Sequence, residues 1–171
     1  MNEIGQYGVM MLTMDALDAR ILLAVDDDPD ATTLALARRL GIARNTLQAR
    51  LRRLRATGAV GQFSRRIDPA ALGRGLVAFV SIELSQTAGE LATVALAAVP
   101  EVVEVHAITG EADLLVRVVA RDTADLHRIT RRLLAIPEVE RTSTVVSLLE
   151  EMPLRLRALL EETAGDAAPS R

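Results

Sequence analysis

Apolar residues recur three or four positions apart in three successive stretches between residues 15 and 57. This spacing predicts three amphipathic helices that share one core. The first should end near Asp26-Asp27-Asp28-Pro29, the second should be capped by Thr32 or Thr33, and the third should run from about Arg44 to Thr57, where Gly58 ends it. The apolar positions are, helix by helix, Leu17, Ile21 and Val25; Leu34, Ala37 and Leu40; and Leu47, Leu51 and Leu54.

The second and third predicted helices form a helix-turn-helix pattern. Gly41 can take the left-handed conformation of a tight turn, and the small Ala37 lets the two helices cross closely. Asn45, Gln48 and Arg52 follow at i, i+3 and i+7 on the free face of the third helix. Asn and Gln can bond an adenine edge through two atoms, and Arg can do the same to guanine. We therefore predict that this helix enters the major groove of DNA.

The arginines are concentrated around this motif. Nine arginines and no acid lie between Arg38 and Arg66, although the whole chain has a formal net charge of -3. An arginine-rich helix face is often simply solvated, but on a helix-turn-helix it favours a DNA interface. The expected base contacts are Arg44, Asn45, Gln48 and Arg52, and the expected phosphate contacts are Thr46, Arg50, Arg53 and Arg55.

The rest of the sequence predicts a second domain with the element order βαββαβ. The similar segments Val99–Val102 and Ile136–Val139 each follow an amphipathic helical stretch and precede an apolar strand. The order is that of a ferredoxin-like fold, in which helices cover one face of an antiparallel sheet. We expect Val, Ile and Leu on the other face, and therefore a dimer with two sheets packed face to face. The expected elements are strand 76–84, helix 88–98, strands 102–108 and 114–120, helix 123–135 and strand 139–149.

The predicted fold class is α+β, with a winged-type helix-turn-helix domain followed by the ferredoxin-like domain, which we expect to bind an effector and to form the dimer. Val60–Ile67 has the composition of a strand, and a helix is expected over Pro153–Thr163 with a disordered tail from Ala164. The expected divisions are an N-terminal extension over 1–13, the DNA-binding domain over 14–58, a linker strand over 59–74, the ferredoxin-like domain over 75–151, and a C-terminal helix and tail over 152–171.

The composition gives little support to other classes of protein. The chain has no cysteine and no lysine, which excludes disulfides, thiolate metal sites and the lysine of a phosphate-binding loop. His106 and His127 lack metal-ligand spacing, and the aspartates at 26–28 lack the spaced oxygens of a calcium loop. We therefore expect no metal and no cofactor. Because no apolar run reaches ~18 residues and no signal peptide is evident, we expect a cytoplasmic protein.

Several short motifs from both predicted domains follow one another along the chain. They are Asp15–Leu22, Leu36–Ile42, Arg50–Leu54, Gly58–Val60, Ile67–Pro69, Leu72-Gly73 and Thr109–Leu115. In this order they resemble the Lrp/AsnC (feast/famine) family of prokaryotic transcription regulators over roughly residues 14–151. Three positions depart from the family pattern: Ala43 replaces a helix-capping Ser, Arg55 replaces an acid, and Ala112 replaces an aromatic residue.

The resemblance implies a homodimer, a tetramer or an octamer, and a small effector, commonly an amino acid, bound between subunits. Backbone amides around Gly110 would hold a carboxylate, and Asp113 or Glu111 would pair with an ammonium group. The alternative is that this turn is a simple hairpin between two strands. By position, the implied effector contacts are Thr109, Gly110, Glu111, Ala112, Asp113, Leu114, Thr142 and Thr144.

Two other functions stay open at this point. Some Lrp-like proteins are sirohaem decarboxylases, and His106 would then be the first residue to test. A DNA-architectural protein would use the same arginines to coat DNA with little sequence preference. An architectural protein and a specific regulator would both lose DNA affinity as salt is added. Only the regulator would keep a large ratio between its affinity for operator DNA and its affinity for random DNA.

Overall fold

The computed structural model describes residues 14–85 and 91–165, which divide into two compact units. The first unit contains the described residues up to Arg65 together with those from Pro153, and the second runs from Arg66 to Met152. In the described part of the chain, no helix is long and apolar enough to cross a membrane. The expected extension over 1–13, the start of the helix expected over 88–98 and the end of the expected tail lie outside the described residues.

The described part of the first unit contains four α-helices, and three of them form the predicted helix-turn-helix domain. Its core is filled by side chains from each of these three helices. Leu34, predicted for the core, is 46% exposed, and Leu36 is buried in its place. The helices are α1 (Ala16–Asp27), α2 (Thr33–Leu40), α3 (Arg44–Ala56) and α6 (Arg157–Gly165). The core residues are Ile21, Ala24, Leu36, Ala37 and Leu47.

The ends of these helices follow the local sequence. The Thr32 side chain accepts a hydrogen bond from the Ala35 amide and caps α2, which confirms the expected cap. Gly41 ends α2 with φ 68°, in the left-handed region that favours glycine. Ala43 stands at the start of α3 and makes no side-chain cap hydrogen bond. The weak cap expected from Ala43 is therefore confirmed.

The predicted strand over Val60–Ile67 is wrong. The structure has a short 3-10 helix at Phe63–Arg66, and a second one at Pro69–Leu72 that Asp68 caps. A strand is stable only when its backbone groups pair with a neighbouring strand. No described strand pairs with residues 59–75, so the backbone forms local turns instead. The C-terminal helix was expected over Pro153–Thr163, and α6 begins four residues later and includes Ala164, which was expected in the tail.

The second unit has the predicted βαββαβ order. Its antiparallel sheet has the strand order β2-β3-β1-β4, and α4 and α5 cover one face. The core between sheet and helices contains Val80, Ile82, Val116, Leu96 and Ile129. This arrangement confirms the ferredoxin-like expectation, although β4 ends three residues early. The elements are β1 (Leu76–Leu84), α4 (Leu91–Ala97), β2 (Val102–Ala107), β3 (Leu114–Ala120), α5 (Thr123–Leu134) and β4 (Val139–Val146).

The open face of the sheet carries apolar side chains, as predicted, including the exposed Phe79 and Val145, but it also carries polar ones. In β1 the residues that alternate with the buried Val80 and Ile82 include Ser81 and Glu83, and these lie on the open face. The neighbouring strands place Arg117 and Arg141 on the same face. The Val, Ile and Leu side chains of the sheet mostly face the helices. Two cross-strand ion pairs lie on the open face, namely Glu104–Arg117 at 3.3 Å and Glu83–Arg141 at 3.6 Å.

Candidate DNA interface and effector site

The free face of α3 has the features of a base-reading surface. Leu47 and Leu54 are buried, and at 3.6 residues per turn Asn45, Ala49 and Arg52 lie on the opposite side of the helix. All three of these residues are exposed. Because Ala49 has only a methyl group, it leaves room for the longer side chains on either side of it to reach the floor of a groove. The flanks carry further polar side chains, which are the exposed Arg44, Thr46 and Arg55 and the half-buried Gln48.

Two of the arginines predicted to contact phosphate form ion pairs with α1. Arg50 donates to Asp18 at 2.9 Å and also to Asp15, and Arg53 donates to the second oxygen of Asp18. Asp18 is completely buried in α1. Arg50 also holds the pKa of the Asp15 carboxyl below its ordinary value, mainly through the hydrogen bond between them. Arg50 and Arg53 therefore anchor α3 to α1, and the phosphate contacts expected for them stay a prediction.

Most of the other arginines in this region keep their charge available. Arg39 pairs with Asp27 at 2.5 Å, beside the second helix rather than on the recognition helix. Four arginines of the helix-turn-helix have no acidic group within 4 Å among the described residues. Guanidinium groups in this state can bind phosphate or base edges without first breaking an ion pair. These four are Arg38, Arg44, Arg52 and Arg55.

The predicted effector turn is the hairpin between β2 and β3. Ile108 donates its amide to the Asp113 carbonyl at 3.0 Å, which closes the hairpin. Gly110 has φ 129°, which L side chains rarely adopt. The Asp113 carboxylate accepts the Leu84 amide at 2.7 Å. Asp113 therefore fixes the turn to the end of β1, so its charge already has a structural use.

The structure places the remaining predicted effector residues around the same end of the sheet. Thr109, Gly110 and Glu111 are exposed, whereas Ala112 is half-buried. Leu114 is only 7% exposed and its side chain belongs to the core. Leu114 and Thr142 lie on opposite sides of Ile82 in the sheet, and Thr144 pairs with Val80. Thr142 and Leu114 are thus two strand spacings apart, roughly 10 Å.

The two histidines lie on different elements of the second unit. His106 is on the open face of the sheet with its side chain 62% exposed, and its imidazole lies 3.6 Å from the Glu104 carboxylate. His127 is exposed on α5. Among the described residues, no three His, Asp or Glu side chains are grouped as a metal site would require.

Two protein-family models match this chain, one in each half. A family model described as winged helix-turn-helix DNA-binding matches residues 14–60, and one described as Lrp/AsnC ligand binding domain matches residues 77–155. The transcriptional regulator FL11 of Pyrococcus horikoshii is 33% identical over 141 residues, which cover 81% of this chain and 92% of that protein. The chain belongs to the Lrp/AsnC family. Among its Lrp/AsnC relatives, the regulator AldR of Mycolicibacterium smegmatis is 38% identical over 135 residues, covering 77% of this chain and 79% of AldR.

A solved structure of this family is also similar to this chain in its fold. The feast or famine regulatory protein of M. tuberculosis, complexed with L-methionine, matches with a TM-score of 0.72 and 29% identity. The match covers 84% of this chain and 97% of that protein. This Lrp/AsnC chain is therefore a transcriptional regulator that combines a DNA-binding domain with a ligand-binding domain. The two sequence relatives are likewise named as regulators rather than as enzymes.

Proposed function

We propose that this Lrp/AsnC protein binds specific operator DNA as a dimer, and that an amino acid changes its DNA affinity or its assembly. The observation that carries the DNA part is the exposed polar face of α3, in which Asn45, Gln48 and Arg52 surround the small Ala49. Within the described residues, neither Arg44 nor Arg52 forms an ion pair that DNA would have to displace. These features favour base reading over passive solvation.

The proposed dimer presents two α3 helices to successive major grooves of a pseudo-palindromic site. Their centres would lie one helical turn of DNA apart, roughly 34 Å. Asn45, Gln48, Arg44 and Arg52 would contact base edges. Thr46 and Arg55 would contact phosphates from the two sides of the same helix, since both are exposed.

The proposed effector is an amino acid bound at the hairpin between β2 and β3. The M. tuberculosis relative was solved with L-methionine, which supports this class of ligand. Gly110, with its positive φ, leaves the turn amides free of a neighbouring Cβ, so a carboxylate can approach them. Glu111 is exposed and has no ion-pair partner among the described residues, so it can pair with an ammonium group. The effector acts by binding two arrangements of the dimers with different affinities.

A mobility-shift titration with the DNA upstream of the protein's own gene tests both parts. At ~150 mM salt we expect the full-length protein to prefer this DNA over random DNA by about 10³-fold or more. One amino acid from a mixed pool should shift that affinity by about fivefold or more. Equal affinity for both DNAs would instead identify an architectural protein.

Two variants locate the effector in the same titration. Glu111→Gln removes the free charge at the turn, and we expect it to abolish the response while DNA binding persists. Asp113→Asn removes the charge of the other acid at this turn but keeps the turn in place, because its side-chain oxygen can still accept the hydrogen bond from the Leu84 amide. A full response in both variants would contradict a site at this turn.

A further inference from the structure

The C-terminal end of α1 has an unfavourable charge pattern. Asp26 and Asp27 are its last two residues, Asp28 is its cap, and no basic residue lies in its last turn. Acidic side chains at a helix C-terminus are repelled by the negative end of the helix dipole. The sequence favours full solvation of these aspartates. The structure shows instead that two of them receive cations from other helices.

The cations come from α2 and from the C-terminal helix α6. Arg157 of α6 donates to Asp27 at 2.9 Å and to Asp26 at 3.1 Å, while Arg39 of α2 contacts Asp27 from the other side. Hydrogen bonds from Arg157 and then from Arg39 lower the pKa of Asp27. Arg157 is held in place by Glu161, one turn further along α6, at 2.9 Å. We define this group of charges, Asp26, Asp27, Arg39, Arg157 and Glu161, as the clasp.

Apart from these ion pairs, α6 packs along α1 through side chains that stay accessible to solvent. None of its residues is buried, and only Leu160, Thr163 and Ala164 are partly covered. Leu159 is 59% exposed. Because no side chain of α6 is fully buried, the ion pairs contribute to its docking together with the packing against α1, and half-exposed ion pairs weaken as salt is added. The docking of α6 is therefore reversible in principle and sensitive to salt.

The connectivity of the chain makes this docking consequential. The chain leaves the DNA-binding unit after Arg65, builds the whole ligand-binding unit, and returns to the DNA-binding unit at Pro153. The model of the Lrp/AsnC ligand binding domain matches only as far as residue 155, and α6 begins at Arg157. While α6 is docked, the DNA-binding unit is joined to the ligand-binding unit through both connections. When α6 is released, only the connection at Arg65 remains.

We propose that α6 is a salt-releasable clasp helix that limits the freedom of the DNA-binding unit. With the clasp closed, two connections restrict the separation and orientation that the recognition helices of a dimer can adopt. With the clasp open, a single connection allows more arrangements. The clasp thus tunes how strictly the protein reads the spacing of two half-sites, and this consequence rests on the proposed dimeric operator binding.

Hydrogen exchange of α6 in the full-length protein tests the docking itself. The test variant is Arg157→Glu, and Arg155→Glu is the matched control, because Arg155 is exposed and lies within 4 Å of no acid in the described residues. At ~50 mM salt the α6 amides should exchange at least about tenfold faster in Arg157→Glu than in the wild type or the control. Adding ~500 mM salt should remove most of that difference. Unchanged α3 exchange verifies that the unit is folded, and equal α6 exchange in all three proteins would overturn the proposal.

The spacing of DNA half-sites tests the functional consequence. Two operators are compared, the natural one and one with 5 bp inserted between its half-sites, about half a helical turn. The wild type and Arg155→Glu should prefer the natural spacing, and Arg157→Glu should lose at least about fivefold of that preference. Undiminished preference in Arg157→Glu would overturn the tuning role. If the wild type binds neither operator, the proposed dimeric binding has failed, while the exchange experiment still decides whether the clasp exists.

Discussion

Asp18 shows how one residue sets the position of the recognition helix. Its carboxylate is completely buried, and its two oxygens accept hydrogen bonds from Arg50 and Arg53, both of which belong to α3. The same side chain also accepts the Asp15 amide, which completes a capping box at the start of α1. A buried carboxylate is stable only with such partners. Asp18 therefore joins the first turn of α1 to the middle of α3.

We predict that Asp18→Asn weakens the α1–α3 contact by about 1 to 2 kcal/mol, because the neutral amide replaces the charge-assisted hydrogen bonds of Asp18, while Arg50 and Arg53 stay partly solvated. Hydrogen exchange of the α3 amides should accelerate accordingly. Asp30→Asn is a suitable control, since Asp30 is exposed and no described residue forms an ion pair with it. Equal α3 exchange in the two variants would show that Asp18 does not anchor the helix.

The roles of individual arginines were only partly predictable from the sequence. Periodicity placed Leu47 and Leu54 in the core and Arg52 on the free face, and the structure confirms both placements. Arg50 and Arg53 lie at the border between the two faces, where periodicity does not decide. Their partner Asp18 is 32 and 35 residues away in the sequence. No local pattern reveals so distant an ion pair.

Among the elements of the second unit, α5 is held by a group of charges at its N-terminal end. Asp125 accepts hydrogen bonds from the backbone and the guanidinium of Arg121 and from Arg128. Arg128 also reaches the buried Glu101 at 2.7 Å, and Arg74 lies 3.6 Å from the same carboxylate. These contacts connect the linker, the turn before β2 and α5.

The charges around α5 predict a loss of stability in acid. Hydrogen bonds from Arg121 and then from Arg128 hold the pKa of Asp125 well below its usual range. A carboxylate whose pKa is lower in the folded state than in the unfolded state stabilises the fold above the unfolded pKa, about 4. That contribution declines as the pH falls further, towards the folded pKa.

Hydrogen exchange of the α5 amides between pH 6 and pH 3 reports the unfolding of this helix and so measures the contribution of Asp125. The wild type should lose protection below about pH 4, and Asp125→Asn should lose less, starting from lower protection at pH 6. Glu140→Gln, at an exposed position of β4, should behave like the wild type. Identical acid sensitivity in Asp125→Asn would assign the loss to other carboxyl groups.

At the scale of whole elements, strong periodicity made most helices and strands predictable. Both strands β1 and β3 have the predicted bounds, and α3 differs by one residue. The strand expected at Val60–Ile67 failed because composition alone cannot supply a pairing neighbour. The polar residues on the open face of the sheet were missed for a related reason. Which side of each strand faces the helices depends on the register, and that follows from the assembled sheet.

At the scale of the whole molecule, the chain joins a DNA-binding unit to a ligand-binding unit, and the order of its sequence motifs was sufficient to predict both. The return of α6 to the first unit was not predictable, because the apolar spacing of α6 says nothing about where the helix docks. The eventual partner, the acidic end of α1, is 131 residues away from Arg157. The sequence therefore predicts the units well and their additional connection poorly.

The central claim, that α3 reads operator DNA, is tested most directly by a single titration with three proteins. The wild type, Arg52→Ala and Arg20→Ala are titrated against the upstream DNA and against random DNA at ~150 mM salt. Arg20 is an exposed arginine of α1 and serves as the matched control. We predict that Arg52→Ala loses about tenfold to a hundredfold in affinity for the upstream DNA and much less for random DNA, while Arg20→Ala resembles the wild type. An undiminished preference in Arg52→Ala would contradict base reading by α3.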